Sequence, residues 1–564
     1  MSEGIGISLF IPFLHALEEP AFHPDTAIWL TDTLSGLFNQ IPKEQRLVTI
    51  AACILGAILV KALLSFGTAT LFGWLDMRIT HRLRSILFAQ LLGVKFNFIE
   101  QRSAGKLFNT LSTETWRTSN ALSTLVGLII SVCMIGVYAL LLFLISWKLT
   151  LLVIGFMAIV SIAVRLLTRH AKSLSTQLTK ANARFSKRLV QAIEGMKVVR
   201  AFGRERWEQK RFDEESIRIS RVHMKLMVSS GLVNPVYEVL AGGLLVYVLF
   251  TMLQTPNGLT PLLVFIFVLY RLQPKIKELD EQRVSLRSLA GSVKDVKSLL
   301  EETRQLESVS GKISFHGLEN EIRFAHVWFH YERNKPPALQ DVCFFIRSGI
   351  TTALVGPSGG GKSTIVKLLL RLHNPTQGDI VADDHSLKDL DLVMWRKQMA
   401  LVSQDVYLFD ATIRQNIAYG HPDATAKDIE RAARQADAHV FISRLPDGYD
   451  TVVGDRGIRL SGGQQQRISL ARALVRKPEI LILDEATSVL DALSEHLIQD
   501  ALDKLDHRCT VIVIAHRFST IKQADHIIVL DDGRICEQGN LQELLDHRGL
   551  FAKLYDLQFP DQMK

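Results

Sequence analysis

Five apolar windows, at residues 47–72, 122–145, 151–167, 232–253 and 259–270, constrain this chain more than any other feature. A helix needs about 20 apolar residues to cross a bilayer, because in lipid every backbone polar group must be bonded within its own segment. The first, second and fourth windows reach that length alone; the third and fifth run on into amphipathic sequence. The polar stretches between them choose sides. Residues 169–225 are dense in Lys and Arg, and Arg78, Arg82, Arg84, Lys95, Arg102 and Lys106 separate the first window from the second. The positive-inside tendency assigns both stretches to the cytoplasm and the short links 146–150 and 254–260 to the other side. Five crossings would leave the C-terminal half outside unless one more precedes Leu47.

The segment MSEGIGISLFIPFLHAL bears on that missing crossing. It has no basic residue ahead of its apolar run, so a secretory signal is not its reading. As a helix its apolar part reaches only about 20 Å. It fits the outer half of a first crossing, followed by a loop with Glu18, Glu19, Asp25 and Asp32. The expectation is a truncated first helix, with the native start upstream of Met1.

Hydrophobic residues make up 48% of the 564 and charged residues 22%, a balance that puts part of the chain in a membrane and part in water. That length calls for at least two cored units. A net charge of +8 would admit nucleic acid as a partner, but the basic residues border the apolar runs, so none is expected. Cys53, Cys133, Cys343, Cys509 and Cys536 are scattered without a CxxC pair, which excludes a zinc-ribbon pattern or a disulfide framework and points to a reducing compartment for the polar half.

After a polar stretch at residues 301–320, short apolar strands alternate with helical sequence, the pattern of a largely parallel α/β sheet. GPSGGGKST follows the strand TTALV and precedes the helical IVKLLLRL, the order a P-loop needs. In it Gly356, Pro357, Ser358, Gly359, Gly360 and Gly361 turn backbone N–H groups onto phosphate oxygens. Lys362 reaches the β- and γ-phosphates, Ser363 can hold Mg²⁺, and Thr364 continues into the helix. In ILILDEATS, Asp484 is placed to hold Mg²⁺ and Glu485 to polarise the attacking water. LSGGQQQR is a second glycine loop ahead of a helix, where Ser461 and the N–H groups of Gly462 and Gly463 can meet phosphate. Two phosphate-binding edges on one domain indicate two copies facing each other.

On these motifs the sequence resembles the ATP-binding cassette (ABC) family over essentially its whole length. The resemblance implies that the signature loop, Ser461 to Gln464, closes on ATP held by a partner's P-loop. It implies that Tyr331 in FHYERN stacks on adenine, that Gln404 in LVSQD senses Mg²⁺ and the membrane helices, that Asp491 in SVLD belongs to the nucleotide site, and that His516 in IAHR contacts the γ-phosphate. The catalytic set would be Glu485, His516 and Gln404, and the metal set Ser363, Gln404 and Asp484. Val489 and Asp455 stand where Ala and Glu are common in the family, and neither departure removes a catalytic group.

The first half resembles the exporter type, six helices fused ahead of the cassette, with residues 100–115 and 193–212 where such proteins carry their cytoplasmic coupling helices. The expected fold class is therefore an α-helical transmembrane domain over residues 1–300, a linker over 301–320, and an α/β P-loop nucleotide-binding domain over 321–564. Lys61 and Glu238 break the apolar windows and are candidates for a substrate path or an interhelical pair. YRLQP resembles exporters and flippases of lipid-linked saccharides. The implied activity is ATP-driven export or flipping of an amphipathic substrate by a homodimer in membrane lipid, at a bacterial inner membrane. A drug or peptide exporter, or half of a heterodimer, are the alternatives; a soluble ABC ATPase acting on nucleic acid is opposed by the apolar windows.

Overall fold

Apolar stretches that can bond their backbone only within themselves become helices, and the computed structural model shows this for each of the five windows. It describes residues 42–145, 147–168, 171–231, 233–253, 259–306, 310–332, 335–484, 509–515 and 521–558. The expected first crossing, in MSEGIGISLFIPFLHAL, lies outside these residues. In chain order the helices used below are α1 (Lys43–Gly93), α2 (Phe96–Glu100), α3 (Thr115–Ile145), α4 (Trp147–Thr168), α5 (Ala171–Glu194), α6 (Met196–Ala201), α7 (Glu205–Gly231), α8 (Val233–Leu253) and α9 (Leu259–Gln305). The windows fall on α1, α3, α4, α8 and α9. Among the described residues, Ala51–Gly93 and Gly105–Leu144 are long and apolar enough to cross a membrane, and Trp147–Phe156 is a shorter apolar helix.

The chain forms two units, Met1–Leu91 with Gly105–Glu302, and Leu92–Ala104 with Thr303–Lys564. In the first, Tyr138 and Leu142 of α3, Val153 of α4, Leu244 of α8, and Phe265, Val268, Leu269 and Leu272 of α9 bury one another in a single cluster. At 51 and 47 residues, α1 and α9 reach about 77 and about 70 Å, more than twice the hydrocarbon thickness, so both run on well past it. Along α9 the change of solvent is visible. The buried members of the apolar cluster end at Leu272, Pro274 interrupts the helical bonding, and ion pairs at helical spacing follow: Lys275 to Glu278 at 2.8 Å, Arg283 to Asp280 at 3.8 Å and Lys297 to Glu301 at 3.7 Å. The basic α5 and α7 pair through Arg188 and Glu208 at 3.1 Å and the rings of Phe185 and Phe212 at 4.9 Å, with α6 between them in sequence.

In the second unit, β1 (Glu321–Phe329), β2 (Leu339–Arg347), β3 (Thr351–Val355), β4 (Gln377–Ala382), β5 (His385–Ser386), β6 (Met399–Val402), β7 (Ile480–Asp484), β8 (Thr510–Ile514), β9 (His526–Asp531) and β10 (Arg534–Gly539) form two sheets. An antiparallel sheet has the order β2-β1-β4-β5, and a six-stranded sheet the order β10-β9-β3-β8-β7-β6. The latter is parallel from β9 to β6, with β10 antiparallel at its edge. Strands β3, β7 and β8 are buried almost throughout, as parallel strands covered on both faces must be. This bears out the expected α/β sheet.

Trp395 anchors the layer between the sheets: it is fully buried, its Nε1–H donates to the Leu369 carbonyl at 2.7 Å, and its ring meets Phe315 edge-on at 4.9 Å. Replacing it with alanine should therefore lower the stability of the second unit by about 3–5 kcal/mol, read from its denaturant unfolding. A loss below about 1 kcal/mol would mean that this layer repacks freely.

Candidate nucleotide-binding site

Strand β3 ends at Val355 and the chain turns through the glycine loop into α10 (Lys362–Leu369). Gly356 has φ 145° and passes so close to β9 that a Cβ there would lie 1.9 Å from the Leu530 carbonyl oxygen; Gly359 has φ 87° but faces open space. The first glycine is required by packing, the second by backbone conformation and by room for a ligand. Lys362 is buried, and its ammonium donates to the carbonyls of Gly356 at 2.7 Å and Pro357 at 2.9 Å, arching over the loop whose N–H groups a phosphate would meet. Ser363 is exposed on the first turn of α10 and Thr364 is buried behind it.

The sheet register gathers the other residues. Leu354 of β3 pairs with Ile514 of β8, Ile514 with Asp484 of β7, and Leu483 with Val402 of β6. The carboxyl ends of these strands therefore share one edge, which carries the P-loop, Asp484, and Gln404 two residues beyond Val402. Ligands of open α/β sheets bind there. Ser363, Asp484 and Gln404 offer only oxygen donors besides an amide nitrogen, a set suited to a hard cation such as Mg²⁺. Glu485, Val489, Asp491 and His516 lie outside the described residues.

The second glycine loop sits elsewhere in the unit. Ser461 caps α11 (Gly462–Leu474) in a capping box: its Oγ accepts from the Gln464 N–H, and Gln464 Oε1 accepts from the Ser461 N–H at 3.0 Å. Ser461 and Gly462 are exposed, so the positive helix end is open to solvent. Helix α11 packs into one core cluster and α10 into the other. Arg472 of α11, which sequence reasoning missed, donates from Nε to the Asn416 carbonyl at 2.8 Å and from Nη1 to the Tyr407 carbonyl at 2.8 Å. It thereby ties the segment after Gln404 to the signature helix.

Tyr331 also has neighbours that the sequence did not announce. Its hydroxyl lies 3.2 Å from Thr364 Oγ1, its ring meets Phe329 and His373 edge-on at 4.9 and 5.5 Å, and the Lys367 ammonium stands 5.1 Å from the ring centroid. Glu100 of α2, distant in sequence, pairs with Lys367 at 2.9 Å and approaches His373 Nε2 at 3.0 Å, off the line of a hydrogen bond. Burial, reinforced by the charge of Lys367 and opposed by Glu100, holds the His373 imidazole below its ordinary value. For Lys367, burial disfavours the charge, but Glu100 and Tyr331 outweigh it and the ammonium is held above the usual lysine value. Strand bulges in β1 and β2 also bring His326, Asp341 and Cys343 together. His326 Nδ1 lies 2.8 Å from Asp341 Oδ1, and all three side chains are exposed and already paired across the strands.

Comparison with known proteins shows the family. A sequence model of the ABC transporter transmembrane region matches residues 8–273, and one of the ABC transporter domain matches residues 339–488. The heterocyst differentiation ATP-binding protein HepA of Nostoc sp. is 36% identical over 99% of this chain and 91% of its own length. The chain belongs to the ABC transporter family. The ATP-dependent lipid A-core flippases of Yersinia pestis and Escherichia coli K12 are 37% and 35% identical, over 90% and 91% of this chain and 88% and 89% of theirs. The solved structure of a bacterial Atm1-family ABC exporter with ATP bound superposes with a TM-score of 0.82 at 27% identity, covering 100% of this chain and 97% of that one. This ABC exporter is thus a membrane protein whose helical domain precedes a cytoplasmic nucleotide-binding domain, and its chemistry is ATP hydrolysis coupled to transport.

Two consequences can be measured. Gly359→Ala should cost about 1–2 kcal/mol in the nucleotide-free protein through its positive φ alone, and Gly356→Ala clearly more, because its methyl group meets backbone. Comparison of their thermal melts decides this, and equal losses would contradict the loop geometry. The unfolded chain binds a proton near pH 6.5 that folded His373 resists, so acidification below that value favours unfolding. Wild type should lose melting temperature relative to His373→Asn on going from pH 7 to about pH 5.5; a constant difference would refute the assignment.

Proposed function

We propose that two copies of this chain form a homodimer in a bacterial inner membrane, bind two MgATP between their cassettes, and use hydrolysis to export or flip an amphipathic lipid or lipid-linked saccharide. The observation that carries the reading is the presence of two phosphate-facing edges, the P-loop and the Ser461 helix end, built on separate cores of one domain. A second copy rotated by a two-fold axis offers each P-loop the other's Ser461, Gly462, Gly463 and Gln464. The substrate class is supported by the flippase names of the relatives and by the apolar helices of the first unit, in which Lys61 is half-buried and Glu238 exposed.

In this reading Tyr331 stacks on adenine, and Gly356, Pro357, Ser358, Gly359, Gly360, Gly361 and Lys362 cradle the phosphates, with Thr364 behind them. Ser363, Asp484 and Gln404 would hold Mg²⁺, which supplies charge neutralisation at the β- and γ-phosphates. Glu485 orients and polarises the attacking water, His516 contacts the γ-phosphate, and Asp491 completes the site. Closure of the cassettes moves the coupling segments and switches the cavity between the two membrane faces.

In lipid, Glu485→Gln should lower ATP turnover at least about 100-fold, or roughly 2.7 kcal/mol of barrier, with nucleotide binding retained. Near-wild-type turnover would remove Glu485 from its role. ATPase activity of the purified chain alone, with one nucleotide site per chain and stimulation by lipid-linked glycans rather than peptides, is the expected outcome. Inactivity without another subunit would favour a heterodimer, and stimulation by peptides alone a peptide exporter.

A further inference from the structure

Between the membrane-crossing α1 and the next crossing stands a short segment, Leu92–Ala104, that packs with the nucleotide-binding unit rather than with the helices on either side of it in sequence. It is fastened there at several points. Phe98 is buried, the Lys95 N–H donates to the Leu306 carbonyl at 2.9 Å, and Phe96 meets the His373 ring edge-on at 6.1 Å. At the end of α2, the single carboxylate of Glu100 faces two nitrogen-bearing side chains, the Lys367 ammonium at 2.9 Å and the His373 imidazole Nε2 at 3.0 Å.

Both of those partners bear on Tyr331. Lys367 puts its ammonium 5.1 Å from the Tyr331 ring centroid, a cation–π approach, and His373 packs its ring edge-on at 5.5 Å. His373 is itself almost fully buried, so its position is set by packing, and its Nε2 lacks a well-aligned hydrogen bond. A lysine has four rotatable bonds and, without an acceptor, would swing away from an aromatic face. The Glu100 carboxylate is the acceptor that keeps it there. The tyrosine hydroxyl lies 3.2 Å from Thr364 Oγ1 in the first turn of the P-loop helix, and its ring also meets Phe329 edge-on at 4.9 Å. Tyr331 is thus held by Thr364 and Lys367 of the phosphate-binding helix and by the rings of Phe329 and His373, with the Glu100 carboxylate of α2 against Lys367 and His373.

We propose that Glu100 is a positioning residue for nucleotide binding: through Lys367 and His373 it fixes the Tyr331 ring in the orientation that receives the base. The segment that carries it follows α1 directly in sequence. The proposal rests on the reading of Tyr331 as the adenine platform, and it touches the base alone, since the phosphates are held by other residues.

The test separates base from phosphate in the full-length protein in lipid. It measures kcat and KM for MgATP, and the inhibition constant of magnesium tripolyphosphate, which occupies the P-loop without a base. Glu100→Gln should raise KM for ATP about five-fold, leave kcat within about two-fold, and leave the tripolyphosphate constant unchanged. Glu100→Asp, which keeps the charge, should recover most of the loss. Lys367→Met should reproduce the Glu100→Gln phenotype, and the double variant should be no worse than the worse single one, because both act on one contact. Tyr331→Ala is the control for the underlying reading. If it leaves KM for ATP unchanged, the adenine platform is elsewhere and the proposal falls with it. If Tyr331→Ala raises KM and Glu100→Gln does not, the platform stands and the role of Glu100 is overturned. An equal rise in the tripolyphosphate constant, or a fall in kcat with KM unchanged, also overturns it. The unchanged tripolyphosphate constant and the Glu100→Asp recovery distinguish a positioning defect from misfolding.

Discussion

The parallel register of β3, β8, β7 and β6 is the constraint on which the rest of the nucleotide-binding unit depends. Strands β3, β7 and β8 are buried almost throughout, so each is recognised by its neighbours through backbone pairing and side-chain fit. That pairing brings their carboxyl ends to one edge. The P-loop, Asp484 and the Gln404 segment are separated by dozens of residues in the chain and become neighbours because their strands end together. A slip of the register would move all three at once, and with them the oxygen donors and the buried ammonium of Lys362. The signature helix is tied into this frame from outside, by Arg472 holding the backbone that follows Gln404.

In the first unit the equivalent constraint is solvent. Helices long enough to span a bilayer twice over carry two kinds of surface along one axis, and α9 shows the change within a few residues, from Leu272 in the apolar cluster to Lys275 in an ion-paired ladder. The apolar cluster of α3, α4, α8 and α9 is made where side chains meet side chains, and the charged reaches of α5 and α7 are held by Arg188, Glu208 and a pair of phenylalanine rings. One chain thus meets lipid, water and a second protein core, and each medium selects its own residue pattern.

Much of this was legible before any coordinates. The five apolar windows all became helices, since hydropathy and length are local properties. GPSGGGKST and LSGGQQQR read correctly as a strand-to-helix loop and a helix start because glycine conformations and helix caps depend on a few consecutive residues. Other features left no local trace. Nothing in NFIEQR connects it with KLLLRLH, yet Glu100 lies against Lys367 and His373, with Tyr331 beyond them. Likewise Cys343 has no cysteine or histidine at metal-ligand spacing, and only the strand bulges bring His326 and Asp341 to it.

By itself the sequence determined the class of protein: membrane-crossing helices followed by a cassette that binds and hydrolyses ATP, with a glycine loop between strand and helix. Those are fixed by short-range rules, periodicity, turn conformation and motif order, which any neighbouring stretch of chain carries in full. The tertiary structure alone decided which side chains surround Tyr331, which helix is bound to the segment after Gln404, and that Leu92–Ala104 packs with the second unit. The physical reason is that ion pairs and ring contacts act over a few ångströms in space, whatever the distance along the chain. Their partners are chosen by packing and are not encoded in any contiguous stretch.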